Sequence, residues 1–104
     1  MKLTVLERLM VLGILPGAGN IILMRLRQGL IEKIGLSPEE IKKYGLKVNE
    51  EGNATWDLTI PQEKNIELKP TEIVTVKETL EGLDKEEKIT PQHISLYEKF
   101  VEGG

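Results

Sequence analysis

Apolar residues recur at helical spacing over the first third of the chain, then at a spacing of two, then at helical spacing again. Val5, Leu6, Leu9, Met10, Val11, Leu12 and Ile14 cover most of a helix circumference, interrupted only by Glu7 and Arg8. A helix apolar on all sides is ordinarily buried on all sides. Thr4-x-x-Glu7 has the form of a capping box, in which each residue's side chain accepts the other's amide proton, so the helix is expected to begin at Thr4. Pro16 stops it, because proline cannot donate the next helical hydrogen bond. Asn20 is placed to cap a second helix running to about Ile34. Leu23, Leu26, Leu30 and Ile34 form its buried stripe, widened by Ile22 and Ile31, with Arg25, Gln28 and Glu32 opposite. Gly35 is its expected left-handed C-terminal residue.

Ser37-Pro38-Glu39-Glu40 marks a third, short helix: an N-cap, a proline at the first helical position and a second capping box through Glu40. Leu36 and Ile41 are spaced for a hydrophobic staple, and Gly45 ends the helix. The period then changes to two. Leu46 and Val48 alternate with Lys47; after the turn-rich 49–53 come Ala54, Trp56, Leu58 and Ile60, alternating with Thr55, Asp57 and Thr59. After a polar turn from Pro61 to Asn65, Ile66 and Leu68 alternate with Glu67 and Lys69. This predicts an antiparallel β-hairpin, or a three-stranded meander, with one apolar and one wet face anchored by Trp56. Pro70-Thr71-Glu72 opens a fourth helix carrying Ile73, Val76, Leu80 and Leu83, which Gly82 weakens near its end. A charged link from Asp84 to Lys88 leads to Thr90-Pro91 and a fifth helix with Ile94, Leu96, Tyr97, Phe100 and Val101. The expected fold is α+β in one domain spanning 1–104, mostly helical, with three N-terminal helices, the hairpin and two C-terminal helices.

Composition narrows the chemistry. At 104 residues the chain suffices for one modest core. With Trp56, Tyr44, Tyr97 and Phe100 its only aromatics, that core must be aliphatic. There is no cysteine, which excludes disulfides, thiolate metal sites and a cysteine nucleophile. Sixteen consecutive residues between Arg8 and Arg25 carry no charge, so this stretch is core, partner interface or membrane contact. A spanning helix needs about 18–20 apolar residues without breakers, and the Pro16-to-Asn20 break argues against a membrane. Glu7 and Arg8 likewise interrupt what would be the apolar part of a secretory signal.

The net charge of −3 is unevenly spread. Residues 1–30 hold four cations and one acid, giving +3; residues 51–104 hold six lysines and twelve acids, giving −6. The acidic second half disfavours wrapping nucleic acid. Charge asymmetry of this kind also suits proteins that stack head to tail or pair with themselves.

No catalytic constellation is assembled by the sequence. Pro16-Gly17-Ala18-Gly19-Asn20 lies before a helix N-terminus, where anions bind, but it follows a helix and lacks the Gly-Lys-Ser/Thr of a phosphate loop; it reads as a helix-helix turn. His93, the only histidine, reads as a surface or capping residue. Asp84, Glu86 and Glu87 lack the spacing of a calcium loop and read as a solvated link. No catalytic residue, metal ligand, cofactor or small-molecule substrate is expected, and the chain is read as non-enzymatic.

The element order of Leu3 to Ile34, Ser37 to Tyr44, the hairpin and Pro70 onward resembles a winged-helix domain, with helices two and three as the helix-turn-helix and the hairpin as the wing. That resemblance implies DNA binding through Arg25, Arg27, Lys42 and Lys43. The leading end of the third helix, which approaches base edges in that family, carries Glu39 and Glu40, whose carboxylates repel phosphate. The Leu3-to-Leu9 and Leu96-to-Phe100 segments also resemble those of short proteins encoded in phage and prophage genomes. This implies a cytoplasmic location in a host cell, or a place within a virion. The leading functional expectation is an interaction or assembly protein that forms a homo-oligomer or binds another protein through Leu6, Leu9, Met10 and Leu12, since a small domain can hardly bury all of helix one. DNA-binding regulation is the alternative.

Overall fold

The computed structural model describes residues 1–57 and 63–103. The described chain is α+β, with five helices and two small antiparallel sheets. Strand β1 is Lys2–Leu3, followed by α1 Val5–Ile14, α2 Ile21–Ile34 and α3 Pro38–Tyr44. Strands β2 Lys47–Val48 and β3 Ala54–Thr55 follow, then β4 Lys64–Asn65, α4 Pro70–Lys85 and α5 Ile94–Tyr97. Among the described residues no helix is long and apolar enough to cross a membrane.

The predicted helix starts are built from the side chains the sequence supplies. The Glu7 amide donates to Thr4 Oγ1 at 3.1 Å while the Thr4 amide donates to Glu7 Oε1 at 2.9 Å. Asn20 Oδ1 accepts the Leu23 amide at 2.8 Å. The Glu40 amide and Ser37 Oγ pair at 3.1 Å, with the reciprocal Ser37 amide on Glu40 Oε1 also at 3.1 Å. Gly45, at φ 64°, gives α3 its left-handed end. The end of α2 departs from expectation. Gly35 is extended rather than left-handed (φ −57°, ψ 146°). Its amide still closes on Ile31 O at 2.8 Å, and a Cβ there would lie 2.5 Å from that same oxygen. The carbonyls left open at this helix end are taken by a side chain instead. Arg8 Nε donates to Ile34 O at 2.8 Å and Arg8 Nη2 to Gly35 O at 2.9 Å.

Among the described residues the hairpin is present and no third strand joins it. Strands β2 and β3 pair antiparallel with Lys47 opposite Thr55 and Val48 opposite Ala54. Asn49 organises the connection, its Oδ1 accepting the amides of Glu51 and Asn53 at 3.0 and 2.9 Å, while Gly52 takes φ 85°. The expected alternation at Leu58, Thr59 and Ile60, and the first two residues of the turn expected from Pro61 to Asn65, fall outside the described residues; the end of that turn is instead strand, at Lys64–Asn65. Strand β4 does not add to the hairpin; it pairs with β1, Lys2 opposite Asn65 and Leu3 opposite Lys64. The chain's first amine continues that ladder, donating to Asn65 Oδ1 and Ile66 O at 3.0 Å. Beyond it the predicted alternation holds: Ile66 is buried and Leu68 half-buried, between exposed Glu67 and Lys69. On the hairpin Val48 departs from the pattern and is exposed.

Helix α1 lies at the centre, against α2, α4 and α5. Leu3 and Val11, Leu30 and Ile34, Val76 and Leu80, and Leu96 and Phe100 form the aliphatic core, with the single phenylalanine among them. Helix α4 runs through Gly82 to Lys85, and Glu87, just beyond it at φ 57°, turns the chain. Helices α4 and α5 are therefore two helices. A 3₁₀ turn at Pro91–His93 leads into α5, and a π turn at Glu98–Glu102 closes the chain's last helical stretch.

The largest fully buried side chain of α1 is a charged one: Arg8 has 0 % exposure, and Glu7 is buried as well. A lysine at position 8 would keep the charge and lose the planar fork that reaches two carbonyls and a carboxylate together. Arg8→Lys is expected to destabilise the fold by about 2–4 kcal/mol, given that disrupting a buried pair costs about 3–5 kcal/mol. Thermal melting followed by circular dichroism reads this directly, and an unchanged midpoint would show that Arg8 holds nothing together.

Candidate partner interface

Three glutamates at the third position of their helices make a double set of contacts. Glu7 accepts the Thr4 amide and the Lys99 ammonium, the latter at 2.6 Å. Glu40 accepts the Ser37 amide and both terminal nitrogens of Arg8, at 2.6 and 3.0 Å. Glu72 accepts the Lys69 amide at 2.8 Å and the Lys33 ammonium at 2.6 Å. Each carboxylate thus caps one helix and binds a cation from another. Lys99 also donates to Lys2 O at 2.8 Å, so the same ammonium fastens β1. Gly29 leaves room for the third pair: a Cβ there would lie 3.0 Å from Glu72 Oε2.

The electrostatics follow from these contacts. Hydrogen bonds from Arg8, with the Ser37 amide assisting against partial burial, hold Glu40 down at about 2. Burial opposes ionisation of Glu7, but Lys99 and the Thr4 amide outweigh it and keep its carboxyl below the ordinary value. Burial likewise opposes ionisation of Glu72, and Lys33 with the Lys69 amide overcomes it. These are helix joints in which each carboxylate binds a helix amide and a cation, and Glu7 Oε2 alone of their carboxylate oxygens is buried with no partner among the described residues. His93 is similarly occupied: it is buried, and its Nδ1 accepts the Thr90 amide at 3.0 Å. Among the described residues no three His, Cys, Asp or Glu side chains are grouped to hold a metal ion. In the Pro16-to-Asn20 loop, Asn20 already takes the Leu23 amide that an anion at this helix end would compete for.

The residues proposed for partner binding on α1 are half-buried. Met10 and Leu12 pack on the core, and Leu6 faces Ala54, Thr55, Trp56 and Gln92 across a cleft of about 340 Å³. Leu9 is also half-buried. Of the four proposed cations, Arg25 and Lys43 line different clefts. Arg25 is exposed and shares a cleft with Ile22, Leu26, Gly29, Lys69, Thr71 and Glu72. Arg27 is half-buried, its Nε sealed from solvent without an acceptor among the described residues. Lys42 and Lys43 are exposed on the last turn of α3, where Lys43 Nζ stands 5.6 Å from the Tyr44 ring centre. Lys43 lines a different cleft, with Glu32, Glu39, Glu40 and Glu63 among its neighbours there.

The most exposed apolar surface on a helix is elsewhere. At the first turn of α2, Ile21 is 64 % and Ile22 68 % exposed. The sequence reading placed Ile22 in the buried stripe and passed over Ile21. The signal was available: at 100° per residue, Ile21 lies on the side of Arg25 and Gln28, half a turn from Leu30. Arg25, three positions from Ile22 and four from Ile21, therefore lies between them on one surface of two β-branched side chains and a guanidinium.

The joints make acid stability a test. All three folded-state carboxyl values lie below the ordinary 4.5. Their contribution is complete above 4.5 and is lost as pH falls through the depressed values, reaching about 2 for Glu40. The melting temperature is expected to fall steadily between those limits, and Glu40→Gln should flatten that slope while lowering the midpoint at neutral pH. A wild-type melting temperature independent of pH across this window would contradict the assignment. No protein-family model, curated protein or solved structure matches this chain.

Proposed function

We propose that this chain is a non-enzymatic interaction protein that associates with itself. The observation that carries the reading is the pair Ile21 and Ile22, whose side chains stand largely in solvent on an otherwise capped and well-formed helix. Met24 and Leu26, half-buried, continue the apolar surface on either side. A contiguous apolar patch bordered by charge is a common mark of a protein-protein contact. The reading moves the contact from α1, whose apolar residues mostly serve the core, to the exposed end of α2.

The resemblance of Leu3–Leu9 and Leu96–Phe100 to phage and prophage proteins supports a setting inside a host cell or a virion. These two segments meet in space: Leu3, Leu96 and Phe100 share the core, and Glu7 binds Lys99. The element order α1, α2, α3, hairpin, α4 supports a winged-helix reading as the second choice, with Lys42 and Lys43 exposed on the helix before the wing. The acids around Lys43 weigh against phosphate contacts there.

Light scattering over a range of concentrations is expected to give a mass above 11.7 kDa that rises in multiples of it. Ile22→Asp should return the protein to monomer while leaving its circular dichroism unchanged; a wild type that stays monomeric at high concentration overturns the reading. For the second reading, a mobility-shift titration at low salt with duplex DNA is expected to show no complex. A shift abolished by neutralising both Lys42 and Lys43 would favour the DNA-binding alternative instead.

A further inference from the structure

The exposed end of α2 has a counterpart of opposite charge elsewhere on the molecule. Asp84, Ile89, Ile94, Tyr97, Glu98 and Glu102 line a cleft of about 230 Å³ at the junction of α4 and α5. Ile94 is 51 % exposed at its rim, with half-buried Ile89 and Tyr97 beside it. The three acids of the cleft are all exposed. Desolvation, and then the negative charges of Asp84, Glu81 and Glu102, push the Tyr97 hydroxyl above its ordinary value, which reflects a concentration of acids at this end. The α2 end has the inverse make-up: Ile21 and Ile22 are apolar and exposed, and Arg25 and Lys69 border the cleft they share.

Helix α4 fixes the distance between the two surfaces. Thr71, on its first turn, lines the cleft with Ile22 and Arg25, whereas Asp84, on its last turn, lines the cleft with Ile94 and Tyr97. Thirteen residues of α-helix separate them by about 20 Å, in a molecule whose longest extent is 34 Å. The two surfaces therefore cannot satisfy each other within one chain, and they are placed to do so between chains.

Resting on the self-association proposed above, we infer that the occupant of the acidic α4–α5 cleft is a second copy of this chain, entering with the Ile21, Ile22 and Arg25 face of its α2. The contact is head to tail. Apolar side chains meet in the middle and Arg25 and Lys69 face Asp84, Glu98 and Glu102 around the rim. The pair retains one unused face of each kind, one on each copy, so the association continues until it closes into a ring or extends as a filament. Pairing of the α2 face with itself would instead bring Arg25 and Lys69 against their own copies, where like charges repel.

Two variants that each disable one face provide the test. Ile22→Asp disables the entering face and Ile94→Asp the receiving cleft. Each alone is expected to weaken assembly tenfold or more, roughly the effect of losing one central contact residue. Mixed in equal amounts, the two variants still carry one good face each. They are expected to form a discrete species of twice the 11.7 kDa chain mass that grows no further. If Ile94→Asp lost its helical circular dichroism, Glu98→Lys with Glu102→Lys would disable the same cleft from its exposed rim. Should Ile22→Asp be monomeric while the receiving-cleft variant assembles like wild type, the head-to-tail arrangement is overturned and self-association stands. A mixture that forms no dimer also overturns it, and a monomeric wild type overturns both.

Discussion

With no solvent reaching it, the Arg8 guanidinium must be satisfied entirely by protein, and that requirement ties three helices to one another. Four of its donor contacts are accounted for: the carbonyls of Ile34 and Gly35 at the end of α2, and both carboxylate oxygens of Glu40 at the start of α3. The end of one helix and the beginning of the next carry opposite partial charges, negative carbonyls and positive amides. A cation from α1 takes the carbonyls, an anion from α3 takes the amide, and the two ions close on each other. Gly35 can then be extended instead of left-handed, because the helix end it would have closed is closed by Arg8. The bonds to Arg8 also explain why Glu40 stays ionised to about pH 2 although little of it meets water.

The joints at Glu7 and Glu72 repeat this logic with lysine, and the difference matters. Lys99 and Lys33 each remain about one-third exposed, so their ammonium groups keep part of their hydration. Arg8 keeps none. A weakly hydrated planar guanidinium tolerates full enclosure better than an ammonium does, which is why arginine sits at the centre and the lysines at the edge. Buried pairs of this type add little net stability compared with a well-packed apolar substitute, but breaking one is costly. Their effect here is on arrangement: they set which helix end meets which, in a domain with an aliphatic core that could tolerate several packings.

Local chemistry was legible in the sequence and long-range pairing was not. Thr4, Asn20 and Ser37 cap where their side chains predict, because a cap is decided within four residues. Gly45 and the Ile66–Leu68 alternation were readable for the same reason. Strands β1 and β4 are two residues long, too short to give a period, and their partners are more than sixty positions apart. The burial of Arg8 and Glu7 was not legible, because the partners that make it acceptable, Glu40 and Lys99, lie on other helices. Of the proposed interface, the charge asymmetry and the apolar surplus of the first third were legible in the sequence. It did not place that surplus on α2, because doing so required knowing which side of α2 faces inward.

That facing direction is what gives the exposed isoleucines their meaning. Arg8 takes the carbonyls at one end of α2 and Lys33 binds Glu72 near the same end, so the helix is held against rotation with Leu30 and Ile34 inward. Nine residues separate Ile21 from Leu30, two and a half turns, so the two side chains point in opposite directions. No small adjustment of α2 can bury Ile21 without turning Leu30 out of the core. Folding therefore gains nothing from an isoleucine at position 21 and would be served equally by a lysine. Ile22 and Ile94, each more than half exposed, are under the same weak demand from the fold. Isoleucines at such positions gain burial energy only when another surface covers them, and on this molecule the surface of matching polarity and opposite charge lies at the far end of α4.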